Sequence, residues 1–288
     1  MHPFMLHNGA IRGVEEKVCS PGQVGLLNGW GVFSTLRVKD GVLFEWDRHV
    51  ARMRKDAALL SVPFPEDTEK VRTQLATLIE ANGAYNATLR LVVVRNKGGL
   101  FETPHQTRDF DLIAFTRDLK NWGDSVRLCV TPQARYSEMA FTTAKILAWA
   151  MNLTWLERAQ QRGFDETLLL NEKGQVTECT SANLFLVRGD RVWTPPVASG
   201  CLPGVTRAVL LEEIRVPGIQ IAEAEVQLDD LARADEVFIT SSTRDLLPVS
   251  EVEGVRLDRR GPVLEKLSAA FQAYVEAYVS RARAKVFH

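Results

Sequence analysis

The sequence has few cysteines and no metal-binding motif, and these absences exclude two classes of protein. Its four cysteines, Cys19, Cys129, Cys179 and Cys201, are widely spaced, with no CxxC pair and no histidine at a ligand interval. We therefore expect neither a disulfide framework nor a structural metal site. Free thiols are typical of a reducing compartment.

The chain also has almost no net charge and no long apolar run. Its 35 basic and 36 acidic side chains leave a formal net charge of -1, which offers no electrostatic attraction to nucleic acid or an anionic membrane. No segment approaches the roughly 20 apolar residues of a membrane helix, and the first residues do not resemble a signal peptide. We predict a cytoplasmic protein that binds a small molecule.

The length of 288 residues suits two lobes that each have a core. The segment "TRDLKNWGDS", residues 116–125, is polar and contains a Gly-Asp turn between two strand patterns. We therefore predict an N-terminal α/β lobe over residues 1–120, a linker over 121–133 and a C-terminal lobe over 134–288.

Hydrophobic patterns predict mixed strands and helices in the first half of the chain. Alternating or β-branched runs indicate strands, and apolar residues at helical spacing indicate helices. The predicted strands are "GVFSTLRVKDG", "VLFEW" and "NATLRLVVVRN", and the predicted helices are "DRHVARMRKDAALL", after an Asp47 cap, and "EDTEKVRTQLATLIEANG".

In the second half, the most regular pattern is a helix over "AKILAWAMNLTWLERAQQRG", with Gly163 as its C-cap. Two hairpins follow, "DETLLLNEKGQVTEC" and "NLFLVRGDRVWT", so the polar stretch Cys179 to Asn183 lies at their junction. The remaining predicted elements are a helix in "LPGVTRAVLLEEI", a buried strand in "ADEVFITSS" and a final helix over "PVLEKLSAAFQAYVEAYVSRARAKV".

Lys145 has unusual neighbours for a lysine, because small or apolar residues flank it in "AFTTAKILAWAMN". One interpretation is a lysine at a helix end whose ammonium group reaches water. The other is a desolvated lysine with a lowered pKa, whose neutral amine can form a Schiff base.

Glu178 is followed closely by Thr180, Ser181 and Asn183 in "QVTECTSANLFLV". An exposed strand carboxylate is one interpretation of this residue. Alternatively, the carboxylate holds a protonated ring nitrogen of a ligand while the neighbouring hydroxyls and amide orient its other polar atoms.

Several segments offer groups that bind anions. Pro203 precedes a helix whose first residues, Gly204, Val205 and Thr206, present free backbone N–H groups that suit a phosphate. An ordinary proline-initiated helix is the alternative. The predicted strand "ADEVFITSS" ends in Ser241 and Ser242, which either cap a turn or bind the same anion.

Three arginines are further candidates. Arg52 lies on a predicted helix and is compatible with a solvated helix face. Arg90 and Arg95 lie in "LRLVVVR", where an arginine must find an anion or reach the surface, so both are candidate clamps for a substrate carboxylate.

Six stretches, taken in order, resemble the class IV aminotransferases, the fold-type IV enzymes that use pyridoxal 5'-phosphate. They are "NGWGVFSTLRVKDG", "HVARM", "AKILAWAMN", "GFDETLLLNEKGQVTECTSANLFLV", "GCLPGVTRAVLLE" and "DEVFITSSTRDLLPV". The family includes branched-chain and D-amino-acid aminotransferases and aminodeoxychorismate lyase. The resemblance implies an α/β (α+β) fold with a small N-terminal α/β lobe, a larger C-terminal β-rich pseudo-barrel lobe with helices, a cofactor enclosed by the lobes, and a homodimer.

The resemblance also implies roles for individual residues. Lys145 would hold the cofactor aldehyde as an internal aldimine and then shuttle the substrate proton, and Glu178 would keep the pyridine nitrogen protonated. The full set of predicted cofactor-binding residues is Arg52, Lys145, Glu178, Ser181, Asn183, Leu202, Val205, Thr206, Ser241 and Ser242, and the predicted substrate residues are Phe33, Thr35, Arg90 and Arg95.

Some positions depart from the family pattern. Trp30 and Ser34 stand where an acidic residue is common, and Thr88 stands where branched-chain enzymes have tyrosine. The resemblance therefore implies an aminotransferase that moves an amino group between an amino acid, branched-chain or otherwise aliphatic, and a 2-oxo acid. The alternatives are aminodeoxychorismate lyase, a D-amino-acid aminotransferase and a non-catalytic protein that binds the cofactor.

Overall fold

The computed structural model describes residues 1–100, 102–104, 106–257 and 261–284. The chain forms two compact units. The first contains Met1–Lys120, Ala144–Trp149 and residues 278–284, and the second contains Asn121–Thr143 and Ala150–Ala277. Within the described residues, no helix has the length and apolar composition needed to cross a membrane.

The first unit is built on a six-stranded antiparallel sheet with the strand order β2-β1-β6-β5-β3-β4. Three helices belong to the same unit. The strands are β1 (Phe4–His7), β2 (Ala10–Gly13), β3 (Gly31–Lys39), β4 (Val42–Leu43), β5 (Ala87–Arg95) and β6 (Phe110–Asp118), and the helices are α1 (Val24–Asn28), α2 (Trp46–Leu59) and α3 (Thr68–Ala81).

The two faces of this sheet differ in what covers them. Because successive side chains of a strand point to opposite faces, Val32 and Leu36 of β3 pack with Met53 of α2 and Leu75 of α3 in the main core of the unit. Phe33 lies on the other face, in a smaller apolar cluster. The alternation therefore separates a helix-covered face from a face that carries Phe33.

The second unit contains a nine-stranded mixed sheet with the order β12-β11-β10-β13-β14-β7-β8-β9, and β15 pairs with β14. Its strands are β7 (Val126–Thr131), β8 (Glu166–Leu170), β9 (Val176–Cys179), β10 (Asn183–Arg188), β11 (Arg191–Thr194), β12 (Gln220–Glu223), β13 (Glu236–Ser241), β14 (Asp245–Val252) and β15 (Val255–Arg256). Its helices are α4 (Ala150–Gln161), α5 (Val205–Glu212), α6 (Leu228–Ala232) and most of α7 (Pro262–Ala284).

Most of the predicted elements are confirmed. β8 pairs with β9 and β10 pairs with β11, both antiparallel, so the polar stretch after Glu178 does join two hairpins. Helix α3 begins after Asp67, whose side chain accepts the Lys70 N–H, and β5 is the predicted β-branched strand. The predicted final helix is α7, and the part of that prediction at residues 285–286 lies outside the described residues.

The predicted helix over residues 144–163 is wrong in its first part, because α4 begins only at Ala150. Residues 145–147 lie along the edge of β3, where Ile146 forms an isolated antiparallel bridge with Val32. Phe33 donates its N–H to the Lys145 carbonyl at 3.1 Å, and Leu147 donates to the Gly31 carbonyl at 2.9 Å. The edge of a strand offers these unpaired backbone groups, and they replace the bonds of a first helical turn.

Two further expectations need correction. Only Val42–Leu43 of "VLFEW" is a strand, because Glu45 adopts a left-handed conformation with φ 54° and α2 starts at Trp46, so Asp47 is not its cap. The predicted linker, 121–133, contains β7, a strand that pairs with both β8 and β14. Residues 144–149 join the first unit through their bonds to β3 rather than the second.

Candidate active site

In the first unit, the backbone of Lys145 is held from two sides. Its N–H donates to Oδ2 of Asp56 on α2 at 3.0 Å, and its carbonyl accepts the N–H of Phe33 on β3. Asp56 is only 3% exposed, so this carboxylate is a fixed part of the interior. The extended conformation after Thr143 therefore places the lysine Cα at a defined point beside β3.

The Lys145 amine lies against two aromatic rings. Its Nζ is 4.7 Å from the centroid of the Phe33 ring and 5.9 Å from that of Trp149. The two rings meet edge to face, with centroids 6.0 Å apart. Cation–π attraction holds a protonated amine at such distances, while the rings reduce its contact with water.

Arg90 approaches the same aromatic pair from β5. Its Cζ is 3.9 Å from the Phe33 centroid and 5.8 Å from that of Trp149. It lies directly opposite Thr35 in the β3–β5 register, so Phe33, Thr35 and Arg90 share one face of the sheet. Burial, and then the charge of Arg117, lowers the pKa of Arg90. A desolvated guanidinium beside a lysine amine is suited to bind a carboxylate.

The structure does not bring Arg95, the other candidate clamp, to this face. Arg95 is five residues from Arg90 in the same strand, so its side chain points to the opposite face. There it lies 4.1 Å from the Trp30 ring centroid and donates to the carbonyls of Ser61 and Lys97, both at 2.7 Å. Arg95 therefore holds the local structure around Trp30.

On the helix-covered face of the same sheet, Ser34 joins two residues of α2. Its Oγ is 2.7 Å from Nδ1 of His49 and accepts a hydrogen bond from Nη2 of Arg52 at 2.8 Å. His49 is 1% exposed, and burial, followed by the charges of Arg52 and Lys145, holds its pKa well below the ordinary value. Arg52, a predicted phosphate ligand, is thus oriented by a neutral histidine through a serine.

In the second unit, Glu178 is buried rather than exposed, with 5% of its surface accessible. One carboxylate oxygen accepts from Nη2 of Arg135 at 2.8 Å and the other accepts the Leu202 N–H at 3.1 Å. A cation and a backbone donor both favour the ionised form of a carboxylate. Glu178 is therefore a fixed negative charge, as required of a partner for a protonated ring nitrogen.

The loop after Leu202 lies against Asn183, the first residue of β10. The Asn183 side chain donates to the Leu202 carbonyl at 2.8 Å, and the Gly204 N–H donates to the same carbonyl at 2.8 Å. A Cβ on Gly204 would overlap Oδ1 of Asn183, so a larger residue there would have to displace the Asn183 amide. The structure thus brings Glu178, Asn183, Leu202 and Gly204 together.

Helix α5 begins at Val205 directly after this loop. Its N-cap, Gly204, has no side chain, so the first N–H groups of the helix, including those of Val205 and Thr206, have no side-chain cap. Strand β13 pairs Thr240 with Asn183 and ends at Ser241, so Ser241 and Ser242 lie at the same end of β10. These are the donors that an anion would use.

The comparisons with known proteins identify the family of the chain. The sequence model of the family described as "Amino-transferase class IV" matches residues 31–252, which include both Lys145 and Glu178. The chain is a class IV aminotransferase. The predicted family and the predicted activity class are therefore confirmed.

Individual relatives extend over nearly the whole chain. The "Putative branched-chain-amino-acid aminotransferase" of Methanocaldococcus jannaschii is 31% identical over 253 residues, which are 86% of this chain and 88% of the relative. The D-alanine aminotransferase of Bacillus licheniformis is 28% identical over 280 residues, 93% and 95% of the two chains. The crystal structure of the Escherichia coli branched-chain amino acid aminotransferase superposes with a TM-score of 0.88 at 23% identity and covers 96% of this chain and 95% of its own. This last similarity confirms the predicted fold.

The Ser181 hydroxyl of this aminotransferase is bonded on two sides. Its hydroxyl donates to Oε1 of the buried Glu166 at 2.6 Å and accepts from Nη2 of Arg244 at 3.0 Å. The Thr180 hydroxyl donates to the other oxygen of Glu166 at 2.6 Å. Arg244 in turn lies 3.7 Å from the Trp122 ring centroid. The Ser181 hydroxyl thus belongs to a network around Glu166, and its role as a cofactor-binding residue stays a prediction.

Sequence reasoning about the aminotransferase missed the contacts of four side chains that carry this geometry: His49, Asp56, Arg135 and Glu166. A signal existed for three of them. His49, Arg52 and Asp56 recur at helical spacing on one face of α2. Glu166 opens the fully buried strand β8, and a buried carboxylate requires partners. The contact of Arg135 had no local signal, because its partner Glu178 is 43 residues away.

Proposed function

We propose that this aminotransferase uses pyridoxal 5'-phosphate to move an amino group between an aliphatic, branched-chain amino acid and a 2-oxo acid. We also propose that it works in the cytoplasm, as its widely spaced cysteines indicate, and as a homodimer, as the family resemblance implies. The observation that carries the proposal is the position of Lys145. Its backbone is hydrogen-bonded on both sides, and its amine lies over two aromatic rings.

The residues present fit this cofactor. Glu178 is a buried, fixed carboxylate that suits a pyridine nitrogen. Ser241 has a buried hydroxyl without a hydrogen-bond partner among the described residues, at the end of the strand that pairs with Asn183. A buried polar group of this kind is costly unless a ligand satisfies it. Gly204 also leaves the first N–H groups of α5 accessible to a phosphate.

The residues that would hold the cofactor have distinct tasks. Lys145 would bind its aldehyde carbon, Glu178 its ring nitrogen, and Leu202 would pack on the ring. The phosphate would take its hydrogen bonds from Arg52, the N–H groups of Val205 and Thr206, and the hydroxyls of Ser241 and Ser242. Asn183 would orient the Leu202 loop through the bond it donates there.

When bound, pyridoxal phosphate supplies an electron sink for the negative charge that develops at the substrate Cα. The chain supplies the proton transfers. The Lys145 amine would remove the proton from the substrate Cα and deliver it to the aldehyde carbon of the cofactor. The Glu178 carboxylate, kept ionised by Arg135 and the Leu202 N–H, would keep a proton on the ring nitrogen.

Substrate selection is proposed for the face that carries Phe33. Arg90 would bind the carboxylate of the amino acid, while Phe33 and Trp149 would contact an aliphatic side chain. Thr35 lies opposite Arg90 and would border the same group. The names of the Methanocaldococcus jannaschii relative and the Escherichia coli structure support a branched-chain substrate.

The proposal is tested by loading purified protein with pyridoxal phosphate and following its visible absorbance. L-Leucine and L-valine should change the spectrum, and 2-oxoglutarate should restore it. Borohydride should attach the cofactor to the peptide that contains Lys145. Lys145→Ala should bind the cofactor but neither become labelled nor turn over. Lys97 is a half-exposed lysine paired with Asp109, and Lys97→Ala should behave as wild type.

Other outcomes would identify other activities. Failure to take up the cofactor would overturn the proposal. Release of pyruvate from aminodeoxychorismate without an added 2-oxo acid would establish the lyase instead, and a response to D-alanine alone would establish a D-amino-acid aminotransferase. Cofactor binding without any turnover would indicate a protein that only binds it.

A further inference from the structure

Asp56 is a buried acid that the proposed reaction does not use. It lies on α2, one turn beyond Arg52, and only 3% of its surface is exposed. Burial raises the pKa of Asp56, while the N–H of Lys145 and the charges of Arg52, Lys55 and Lys145 act in the opposite direction. A carboxylate is costly to bury, so its position calls for a specific partner.

That partner is the main chain of Lys145. The Lys145 N–H donates to Oδ2 of Asp56 at 3.0 Å, although the two residues are 89 positions apart in the sequence. Residues 145–147 are not helical, so no i→i+4 bond of a helix satisfies this N–H. On the other side of the residue, the carbonyl of Lys145 is fixed by Phe33 of β3. One helix and one strand thus hold the two ends of the lysine backbone.

We propose that Asp56 is a positioning residue that fixes the Cα of Lys145 through this hydrogen bond and places a compensating negative charge near the amine. The positioning of Lys145 by Asp56 stands on the hydrogen bond alone. Its importance for catalysis rests on the proposed function of Lys145. Geometrically, a lysine side chain can direct its amine over Phe33 and Trp149 only if its backbone is held, because the four-carbon chain adds freedom of its own.

The charged groups around the Lys145 amine determine how the loss of Asp56 changes its protonation. Arg90 of β5 and the Lys145 amine lie over the same Phe33 ring, Arg52 lies on α2 with Asp56, and His49 is neutral. Asp56 interacts with Lys145 electrostatically and favours its protonated form. Removal of this negative charge should therefore lower the pKa of the Lys145 amine.

The first measurement is hydrogen exchange at the Lys145 amide in cofactor-free protein, resolved to single residues. Asp56→Ala should raise exchange there by about tenfold or more, as expected for loss of a hydrogen bond. Asp56→Asn should keep most of the protection, because its amide oxygen still accepts. Met53→Ala is the matched control: Met53 is buried on the same helix and its loss weakens the core without touching Lys145.

The second measurement is the pH profile of Lys145 acylation by a small amine-reactive reagent. The extent of acylation is read by mass spectrometry of the peptide that contains Lys145. Asp56→Asn should shift this profile to lower pH, and it serves as the deciding variant if Asp56→Ala does not fold. The proposal would be overturned if the Lys145 amide of Asp56→Ala exchanged at the wild-type rate, or if Met53→Ala lost as much protection there at matched stability. An unshifted pH profile of acylation in Asp56→Asn would overturn it as well. Because both measurements use cofactor-free protein, failure of the cofactor to bind would overturn the proposed function alone.

Discussion

The hydroxyl of Ser34 lies 2.7 Å from Nδ1 of His49 and accepts a hydrogen bond from Nη2 of Arg52 at 2.8 Å. One oxygen of β3 therefore joins two residues of α2 that lie three positions apart. A buried neutral histidine beside Arg52 and Lys145 adds no further positive charge to the unit.

The first prediction concerns stability and pH. The pKa of His49 is depressed in the folded protein. Below pH ~6.5, His49 therefore binds a proton in the unfolded chain but not in the folded protein. The free energy of unfolding should therefore fall as the pH is lowered, by up to about 1.4 kcal/mol per pH unit from this residue. Urea unfolding of the cofactor-free protein at a series of pH values measures it. His49→Gln should have a shallower slope, and parallel curves for the two proteins would contradict the assignment.

The second prediction concerns the orientation of Arg52. Ser34→Ala removes the hydroxyl that joins Arg52 to His49, so we expect a loss of about 1–3 kcal/mol in the free energy of unfolding and weaker binding of pyridoxal phosphate. Thr116→Val is the matched control, because Thr116 is a fully buried hydroxyl with two partners, His2 and Asn82, in the same unit. It should lose stability without loss of cofactor affinity, measured by absorbance titration. Equal affinities in the two variants would rule out an orienting role for Ser34.

The third prediction concerns the charge of Glu178. Glu178→Gln keeps an acceptor for the Leu202 N–H but removes the negative charge, so kcat should fall about 100-fold or more while the cofactor still binds. Glu236→Gln is the control: Glu236 is equally buried and accepts the N–H groups of Val263 and Leu264 at the start of α7. That variant should lose stability and keep kcat. Steady-state kinetics with the best amino donor measure kcat for both variants. An unchanged kcat in Glu178→Gln would contradict the prediction.

The fourth prediction concerns Gly204. Gly204→Ala would place a Cβ 2.0 Å from Oδ1 of Asn183, so the amide must move and lose its bond to the Leu202 carbonyl. We expect a cost of about 1–3 kcal/mol in unfolding free energy, together with weaker cofactor binding. Adding Asn183→Ala should cost less in the Gly204→Ala background than in wild type, as a double-mutant cycle would show. Gly13→Ala, where the nearest atom would be 3.6 Å away, is the tolerated control.

The fifth prediction concerns substrate binding. Arg90→Leu should raise KM for the amino acid by about 10-fold to 100-fold, because a charge-assisted hydrogen bond to the carboxylate would be lost. Arg117→Leu is the control, since Arg117 is an exposed arginine on the neighbouring strand β6. Initial rates over a range of donor concentrations measure both variants. An unchanged KM in Arg90→Leu would place the substrate carboxylate elsewhere.

Local patterns were sufficient for much of the fold. Strand β5 and the two hairpins around Glu178 could be predicted because alternation, β-branched residues and turn residues act over a few positions. Lys145 and Glu178 could be singled out for the same reason, since each is a charged residue among apolar or small neighbours. The Leu202–Gly204 loop and the start of α5 follow from proline and glycine next to an apolar helical run.

The conformation at Lys145 could not be predicted in this way. Residues 144–149 have a helical hydrophobic pattern, but their backbone bonds go to Gly31 and Phe33, more than 100 positions earlier in the chain. Periodicity reports only which residues share a face, and it contains no information on a distant strand edge that competes for the same N–H and carbonyl groups.

The two arginines of β5 show the same division. Strand alternation alone implies that Arg90 and Arg95 point to opposite faces, because five positions separate them. Only the folded sheet shows that the face of Arg90 also carries Phe33 and the Lys145 amine, while the face of Arg95 carries Trp30.

The sequence by itself determined the family, the order of most strands and helices, and the identities of the lysine and the glutamate. Those properties depend on residue types and on short-range spacing. The tertiary structure decided that Asp56 holds Lys145, that Arg135 holds Glu178, and that the Ser181 hydroxyl bonds Glu166. The physical reason is that a buried charge takes its partner from whichever distant segment packs beside it, and that segment is set by the fold as a whole.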